Sequence, residues 1–274
     1  MQVENEEPGG QPLAVRDGLT AAARRRELVR YIEQFMIVRA EVLADTFGVS
    51  AMTIHRDLDL LSGEGLIERI RGGARRISRT FTERDIRLRR MTRTAEKAAL
   101  AARAAQLVQT GDIVAFDDST TVAAMLPLIA ARRPSAIITH SLGLMRDLAL
   151  AHPEIPLVGL GGQYYPETDS FLGVGAVEQV NRMSADVVFA STTSVKNGGL
   201  FHPDSEAAEM KRALIRMAAR KVLVVDATKF GGKGLYLVVD LDVFDDVVVE
   251  AGLPEERRAE LDQIRAAVHY VGAP

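Results

Sequence analysis

Phe47-Gly48-Val49-Ser50-Ala51-Met52-Thr53-Ile54-His55-Arg56-Asp57-Leu58-Asp59-Leu60-Leu61-Ser62 is the stretch that decides how the first part of this 274-residue chain folds. The Ser50 hydroxyl can accept from the free N–H groups of a first helical turn, which predicts an N-cap and a helix from Ala51 to Ser62. Within it Ile54, Leu58 and Leu61 recur at i, i+4 and i+7, an apolar stripe that must pack on something. Thr53, His55, Arg56 and Asp59 face the other way, and short and cationic groups near a helix start suit the major groove of DNA. A preceding helix, about Arg39 to Thr46, is expected to bury Val42, Leu43 and Phe47, with Gly48 allowing the two helices to cross steeply. That is helix-turn-helix geometry, with Ser50, Thr53, His55 and Arg56 as candidate DNA contacts.

Downstream, Leu66-Ile67-Glu68-Arg69-Ile70 alternates as a short strand into Arg71-Gly72-Gly73-Ala74 and Arg75-Arg76-Ile77. A Gly-Gly turn between two such runs predicts a hairpin. Arg69, Arg71, Arg75 and Arg76 would stand on it as a wing against the phosphate backbone, adding affinity without sequence information. Between Arg69 and Arg93 ten arginines meet only Glu83 and Asp85, a local charge of +8 in a chain whose total is −3. A basic strip beside an acidic body fits a nucleic-acid module joined to a domain that stays off DNA.

These residues carry a family resemblance. Val49-Ser50, Thr53-Ile54, Arg56-Asp57-Leu58, Gly65-Leu66, Arg69 and Arg71-Gly72-Gly73-Ala74 resemble the N-terminal pattern of the DeoR family of bacterial transcriptional regulators. Members usually have two adjacent arginines before the Asp-Leu; here the first is His55, which points to a changed base preference.

Length predicts about two domains. The expected division is a tail over 1–20, a winged helix-turn-helix domain over 21–78, a basic linker over 79–95 and an α/β domain over 96–274. The hydrophobic content of 47 % and charged content of 26 % are those of a folded soluble protein, and no apolar run is long enough to span a bilayer. The first twenty residues lack the apolar core of a signal peptide, so a cytoplasmic protein is expected. With no Cys, disulfides, Cys-ligated zinc and a thiol nucleophile are excluded. Five scattered His without an i, i+4 pair argue against a metal site, and no cofactor is expected. Gly173-Val174-Gly175 lacks the third glycine of the dinucleotide pattern, and no Gly-x-x-x-x-Gly-Lys-Ser/Thr occurs.

From about Glu96 onward short apolar runs alternate with helical segments: 113–116, 136–139, 156–159, 186–189, 221–225 and 246–249. Continuously apolar strands are expected where helices cover both faces of a parallel sheet, which predicts an open, mostly parallel α/β sheet. Ligands of such sheets sit at the carboxyl ends of the strands. There stand Asp117-Asp118-Ser119-Thr120-Thr121, whose hydroxyls and helix start could hold an anion, then His140-Ser141, then Gly161-Gly162, where a ligand could approach the backbone, then Asp226 and Lys229. Lys211, on the helix between the fourth and fifth strands, could reach a sugar hydroxyl or phosphate.

The same positions resemble the DeoR effector domain, similar in fold to ribose-5-phosphate isomerase, and the resemblance spans residues 24 to 250. It implies a sensor for a phosphorylated sugar or related metabolite, held by residues 117–121 with Lys211, Asp226 and Lys229. The family's Asp-Ser-Gly-Thr-Thr is here Asp117-Asp118-Ser119-Thr120-Thr121, and an ionised Asp118 pointing into the site would repel a phosphate. The common Asn before Ser141 is His140, and Thr193-Ser194 replaces an Asp-Gly. The reading is a repressor of carbohydrate or related genes that leaves its double-stranded operator when the effector binds. A homodimer or homotetramer is expected, because one module reads few base pairs. The alternative is a sugar-phosphate isomerase-like enzyme with Asp117 or Asp226 as general base beside Lys211.

Overall fold

The computed structural model describes residues 19–35, 37–64, 66–75 and 86–272, in two compact units that divide after Ser78. The first holds α1 (Ala21–Phe35), β1 (Ile37–Arg39), α2 (Ala40–Phe47), α3 (Ala51–Gly63), β2 (Glu68–Ile70) and β3 (Gly73–Arg75). Ser50 caps α3, its Oγ accepting from the Thr53 N–H at 3.2 Å, and Gly48 closes α2 at φ 61°, a left-handed turn that suits glycine. The predicted stripe is core: Ile54, Leu58 and Leu61 are buried with Leu28, Val29 and Ile32 of α1 and Leu43 of α2. The strands order β1-β3-β2, all antiparallel, with Ile70 opposite Gly73 across a turn at Arg71 and Gly72.

Two expectations need correction here. Val42 is 45 % exposed; α2 buries Ala40 and Leu43, and Val42 sits a third of a turn away, while Phe47 is half-buried near Tyr31. Leu66 and Ile67 do not alternate: both are buried, Leu66 N–H bonds to Leu61 O at 2.9 Å as α3 ends, and the strand begins only at Glu68. Sequence reading did not single out α1 at the head of the unit, although Thr20 stands before it as a cap, its Oγ1 accepting from the Ala23 N–H at 3.3 Å.

The second unit opens with α4 (Ile86–Met91) and α5 (Thr94–Ala105). Then come β4 (Ile113–Phe116), α6 (Thr120–Ala123), α7 (Leu126–Ile129), β5 (Ala136–Thr139), α8 (Leu142–Ala151) and β6 (Leu157–Gly159). A hairpin of β7 (Gln163–Tyr165) and β8 (Ser170–Leu172) leads to α9 (Val174–Val180) and β9 (Ala185–Ala190). After β10 (Ser194–Lys196), β11 (Gly199–His202) and α10 (Ser205–Met217), the chain runs through β12 (Ala218–Val225), β13 (Tyr236–Asp240), β14 (Asp246–Glu250), α11 (Glu255–Leu261) and β15 (Ala267–Val271). Seven strands form one parallel sheet, ordered β15-β14-β12-β9-β4-β5-β6, which contains all six of the predicted runs.

Continuous apolarity follows from burial on both faces. Val114, Phe116, Val187 and Phe189 pack under α5, α6, α7 and α8, whereas their neighbours Ala115 and Val188 pack under α9 and α10. Sequence reading missed β15 and the small antiparallel sheet β10-β11-β13. An edge strand with no fully buried side chain, such as β15, has no reason to be a continuous apolar run.

The stretch expected as a basic linker is in fact, from Ile86 on, part of the second unit. Arg90 pairs with Asp169 at 3.1 Å, and Arg93 holds both oxygens of Glu250 at 2.5 and 2.8 Å, so these arginines neutralise acids of their own domain. Residues 79–85 and the tail at 1–18 lie outside the described residues.

Candidate functional site

In a parallel sheet the loops that follow two neighbouring strands part where the strand order reverses, and the gap between them is the natural ligand site. Here β4, β5 and β6 proceed toward one edge, and the chain then returns to the other side of β4 to lay down β9, β12, β14 and β15. The reversal lies between β4 and β9. The loops leaving those strands are 117–121 and 191–193, and a narrow polar cleft is lined by Ser119, Thr120, Thr121, Ser191, Thr192 and Thr193 with Arg89, Lys211 and Lys229.

Asp117 ties the two loops together. Fully buried, it accepts from Ser119 N at 2.9 Å on one oxygen and from Ser191 N at 2.8 Å on the other. Lys211 donates to the same carboxylate at 2.7 Å and to Asp118 at 2.9 Å, all three side chains being 5 % exposed or less. The second oxygen of Asp118 accepts from Ser170 Oγ at 3.0 Å and lies 3.7 Å from His140 Nε2. Burial pushes the Asp118 carboxyl up, but Lys211 and then His140 outweigh it and hold the group well below the usual carboxylate value. Asp118 therefore turns away from the cleft toward β8, and the repulsion expected from it is met by Lys211.

Besides Lys211, which lies between the two carboxylates, the cations that line the cleft are Arg89 and Lys229. Arg89 belongs to α4, whose carbonyl at that residue accepts from Lys97 Nζ and, at 3.4 Å, from Thr120 Oγ1. Burial foremost, then the charge of Lys229, pushes the Lys97 ammonium down to about 8. The start of the domain is thus strapped to the hydroxyl loop.

Of the expected effector residues, Ser119, Thr120, Thr121, Lys211 and Lys229 come together in the cleft. Asp117 and Asp118 lie behind it as scaffold. Ser119 caps the single-turn α6 through Val122 N at 3.1 Å, and Ser141 caps α8, so both hydroxyls have structural duties. His140 is fully buried beside Asp118, neither ring nitrogen having a hydrogen-bond partner among the described residues. Gly161 exchanges two hydrogen bonds with the Gln179 side chain, and a Cβ on Gly162 would stand 2.5 Å from Leu172 O. Gly162 thus makes room for β8, whereas a Cβ on Gly161 would meet nothing within 4 Å. Asp226 caps the short 3-10 helix after β12 by accepting from Thr228 N at 2.9 Å; despite burial, Lys229, Thr228 and Arg93 hold its carboxyl low.

Sequence reading overlooked Arg89 and Ser191-Thr192-Thr193. A signal for the second existed, since a hydroxyl run follows the fourth strand just as one follows the first.

The helix-turn-helix unit offers α3. Arg56 is exposed, His55 and Thr53 are half-buried, and Ser50 Oγ is engaged with both the N–H and the hydroxyl of Thr53. Met52, 72 % exposed at the start of α3, is a further candidate that the apolar stripe did not include; its methyl suits a thymine methyl. The wing differs from expectation. Arg75 is held by both oxygens of Glu68 at 2.8 and 2.6 Å. Arg69 turns inward to α3, with Nε 3.1 Å from Asp59, Nη2 3.0 Å from His55 Nδ1 and Nη1 3.3 Å from Gly73 O. Arg71, exposed at the hairpin tip, makes no ion pair among the described residues, and Arg76 lies outside them.

Both units match known families. Residues 24–80 match the DeoR-like helix-turn-helix domain and residues 92–251 the DeoR C terminal sensor domain. An HTH-type transcriptional regulator of Haemophilus influenzae is 26 % identical over 91 % of this chain and 97 % of its own length. A putative aga operon transcriptional repressor of Escherichia coli O157:H7 is 27 % identical over 91 % of this chain and 93 % of its own. Among solved structures, ribose 5 phosphate isomerase A from Neisseria gonorrhoeae is 15 % identical with a TM-score of 0.38, covering 51 % of this chain and 54 % of that one. Among the described residues no helix is long and apolar enough to cross a membrane.

Proposed function

The chain belongs to the DeoR family of DNA-binding transcriptional regulators, and on that premise we propose that it represses carbohydrate or related metabolic genes until a small phosphorylated sugar or similar anion enters the cleft between the 117–121 and 191–193 loops. It is a regulator and not an enzyme. The observation that carries the effector assignment is the meeting of Arg89 and Lys229 with six hydroxyl-bearing residues at the point where strand order reverses. Hydroxyls match a polyhydroxy ligand, and the two cations match an acidic group on it. Asp117, Asp118 and Asp226 are occupied as acceptors for Lys211, backbone N–H groups and Thr228, which speaks against a general base. The protein would work in the cytoplasm as a homodimer or homotetramer on paired half-sites.

A thermal-shift series of sugar phosphates, free sugars and polyols tests the effector reading. A phosphorylated ligand at a hundred times its Kd should raise Tm by about 5–10 °C and release DNA, and Arg89→Ala or Lys229→Ala should abolish the shift. Uniform indifference to phosphorylated compounds would sink it. The repressor reading fails if the protein prefers DNA near its own gene no more than random duplex at moderate salt.

On the DNA side, Arg56→Ala should cost about 1–3 kcal/mol of discrimination between preferred and random sequence. Arg71→Ala should instead weaken binding to every sequence alike and flatten the salt dependence by about one unit of slope. Competition titrations at several salt concentrations separate the two.

A further inference from the structure

We propose that Arg69 fixes the tautomer of His55, so that His55 presents only a hydrogen-bond donor to the major groove and excludes cytosine at the base it faces. This rests on α3 being the groove helix. A guanidinium donates and has no lone pair to offer, so where Arg69 Nη2 meets His55 Nδ1 at 3.0 Å the ring nitrogen is the acceptor. The ring proton is then on Nε2, which makes no hydrogen bond among the described residues.

Arg69 is in turn held in place. Its Nε faces Asp59 Oδ1 at 3.1 Å, one helical turn after His55, and its Nη1 reaches the Gly73 carbonyl of the hairpin at 3.3 Å. Three of its nitrogens are thus engaged inside the unit, in a fork that a lysine could not reproduce. Arg69 is a positioning residue acting through His55, not a phosphate contact.

The consequence is a definite base preference. On the major-groove edge guanine, adenine and thymine each offer an acceptor, at N7 or O6, N7 and O4, whereas cytosine offers the N4 amino donor. A histidine free to exchange tautomers could accept from that amino group. One locked as Nε2–H cannot, and the two donors would face each other.

Sequence selection from a randomised duplex library, run with the full-length wild type, Arg69→Met, His55→Ala and the double variant, tests this. The wild type should show one position at which cytosine is depleted about tenfold or more. Arg69→Met should relax that depletion to below about threefold while leaving the preference due to Arg56 in place, and in the His55→Ala background it should change nothing further at that position. Retained cytosine exclusion in Arg69→Met overturns the proposal, as does an equal loss of affinity for all sequences. A wild type that selects no sequence at all overturns instead the regulator reading on which it stands. Nitrogen-15 spectra of histidine-labelled wild type give a check that needs no variant: His55 should be the Nε2–H form, and an Nδ1–H form overturns the lock.

Discussion

Lys211→Met is expected to destabilise the second unit by about 3–5 kcal/mol at pH 7, the cost of breaking a buried ion pair by removing one partner. Methionine nearly matches the lysine stem in length, so the loss is of charge and hydrogen bonds rather than volume. What remains is Asp117 and Asp118, both almost fully buried, with no cation between them. For a unit of this size the change corresponds to a Tm lower by roughly 10 °C. Because Asp117 also holds Ser119 N and Ser191 N, the loops that frame the cleft should loosen first, and effector binding should be lost with stability. The pH dependence fixes the mechanism. In the wild type the Asp118 carboxyl sits well below its ordinary value, so its contribution is present above the unfolded value near 4 and is lost only as pH falls through the lower folded one. In the variant Lys211 no longer opposes burial, the folded carboxyl moves up, and protonation becomes favourable to the folded state. The deficit against wild type should therefore shrink between pH 7 and pH 5. Calorimetry at the two pH values reads this directly, and a Tm deficit below about 3 °C that ignores pH would refute it. Asp118→Asn, which leaves the Asp117–Lys211 pair intact, should cost less, and combined with Lys211→Met the two should fall short of additive because they share one network.

What was legible in the chain was whatever depends on local periodicity. Ile54, Leu58 and Leu61 span two turns and so fix which face of α3 is buried; six apolar runs fix the central sheet because strands covered on both faces have no polar side to show. The eight residues of α2 are too few to set a phase, which is why Val42 reads as core and stands exposed. Edge strand β15 fails for the opposite reason, since partial exposure dissolves the pattern. The hydroxyl loop at 117–121 is visible as a string of residue types, but its partner at 191–193 becomes a partner only because β9 lies beside β4, a pairing made about seventy residues away. Side-chain direction is the least legible of all. Charge alone put Asp118 in the cleft and Arg69 on the DNA backbone, whereas Lys211 and Ser170 draw the first behind the cleft, and Asp59 and His55 draw the second onto α3. In each case a nearby group of opposite charge or matching hydrogen-bond capacity outweighed exposure to water.

Asp57→Ala should reduce DNA binding at 37 °C more than Arg56→Ala, although Asp57 faces away from any groove. Its carboxylate is 3 % exposed on the inner side of α3 and meets Arg24 of α1 at 2.7 Å and Arg25 at 3.6 Å. These two ion pairs tie α1 to α3, beside the buried Leu28, Val29 and Ile32 of the one helix and Ile54, Leu58 and Leu61 of the other. Removing the Asp57 carboxylate leaves two adjacent cations without their counterion. Because Arg24 and Arg25 keep 14 % and 31 % exposure and can be partly rehydrated, the cost is put at about 2–3 kcal/mol, below that of a fully buried pair. A helix-turn-helix unit of fewer than eighty residues has only a few kcal/mol in hand, so such a loss unfolds an appreciable fraction of it near 37 °C. The two variants then separate by temperature. Cooling to 10 °C or adding an excluded osmolyte should restore Asp57→Ala to near wild-type affinity with its sequence preference unchanged, since the reading face is intact. Arg56→Ala should bind with altered preference at every temperature, because what it lacks is a base contact. Affinity that stays low in Asp57→Ala when the unit is shown by circular dichroism to be folded would move Asp57 from the scaffold to the reading surface. Recovery on refolding would establish that the residue between Arg56 and Leu58 acts on DNA only through the packing of α1 on α3.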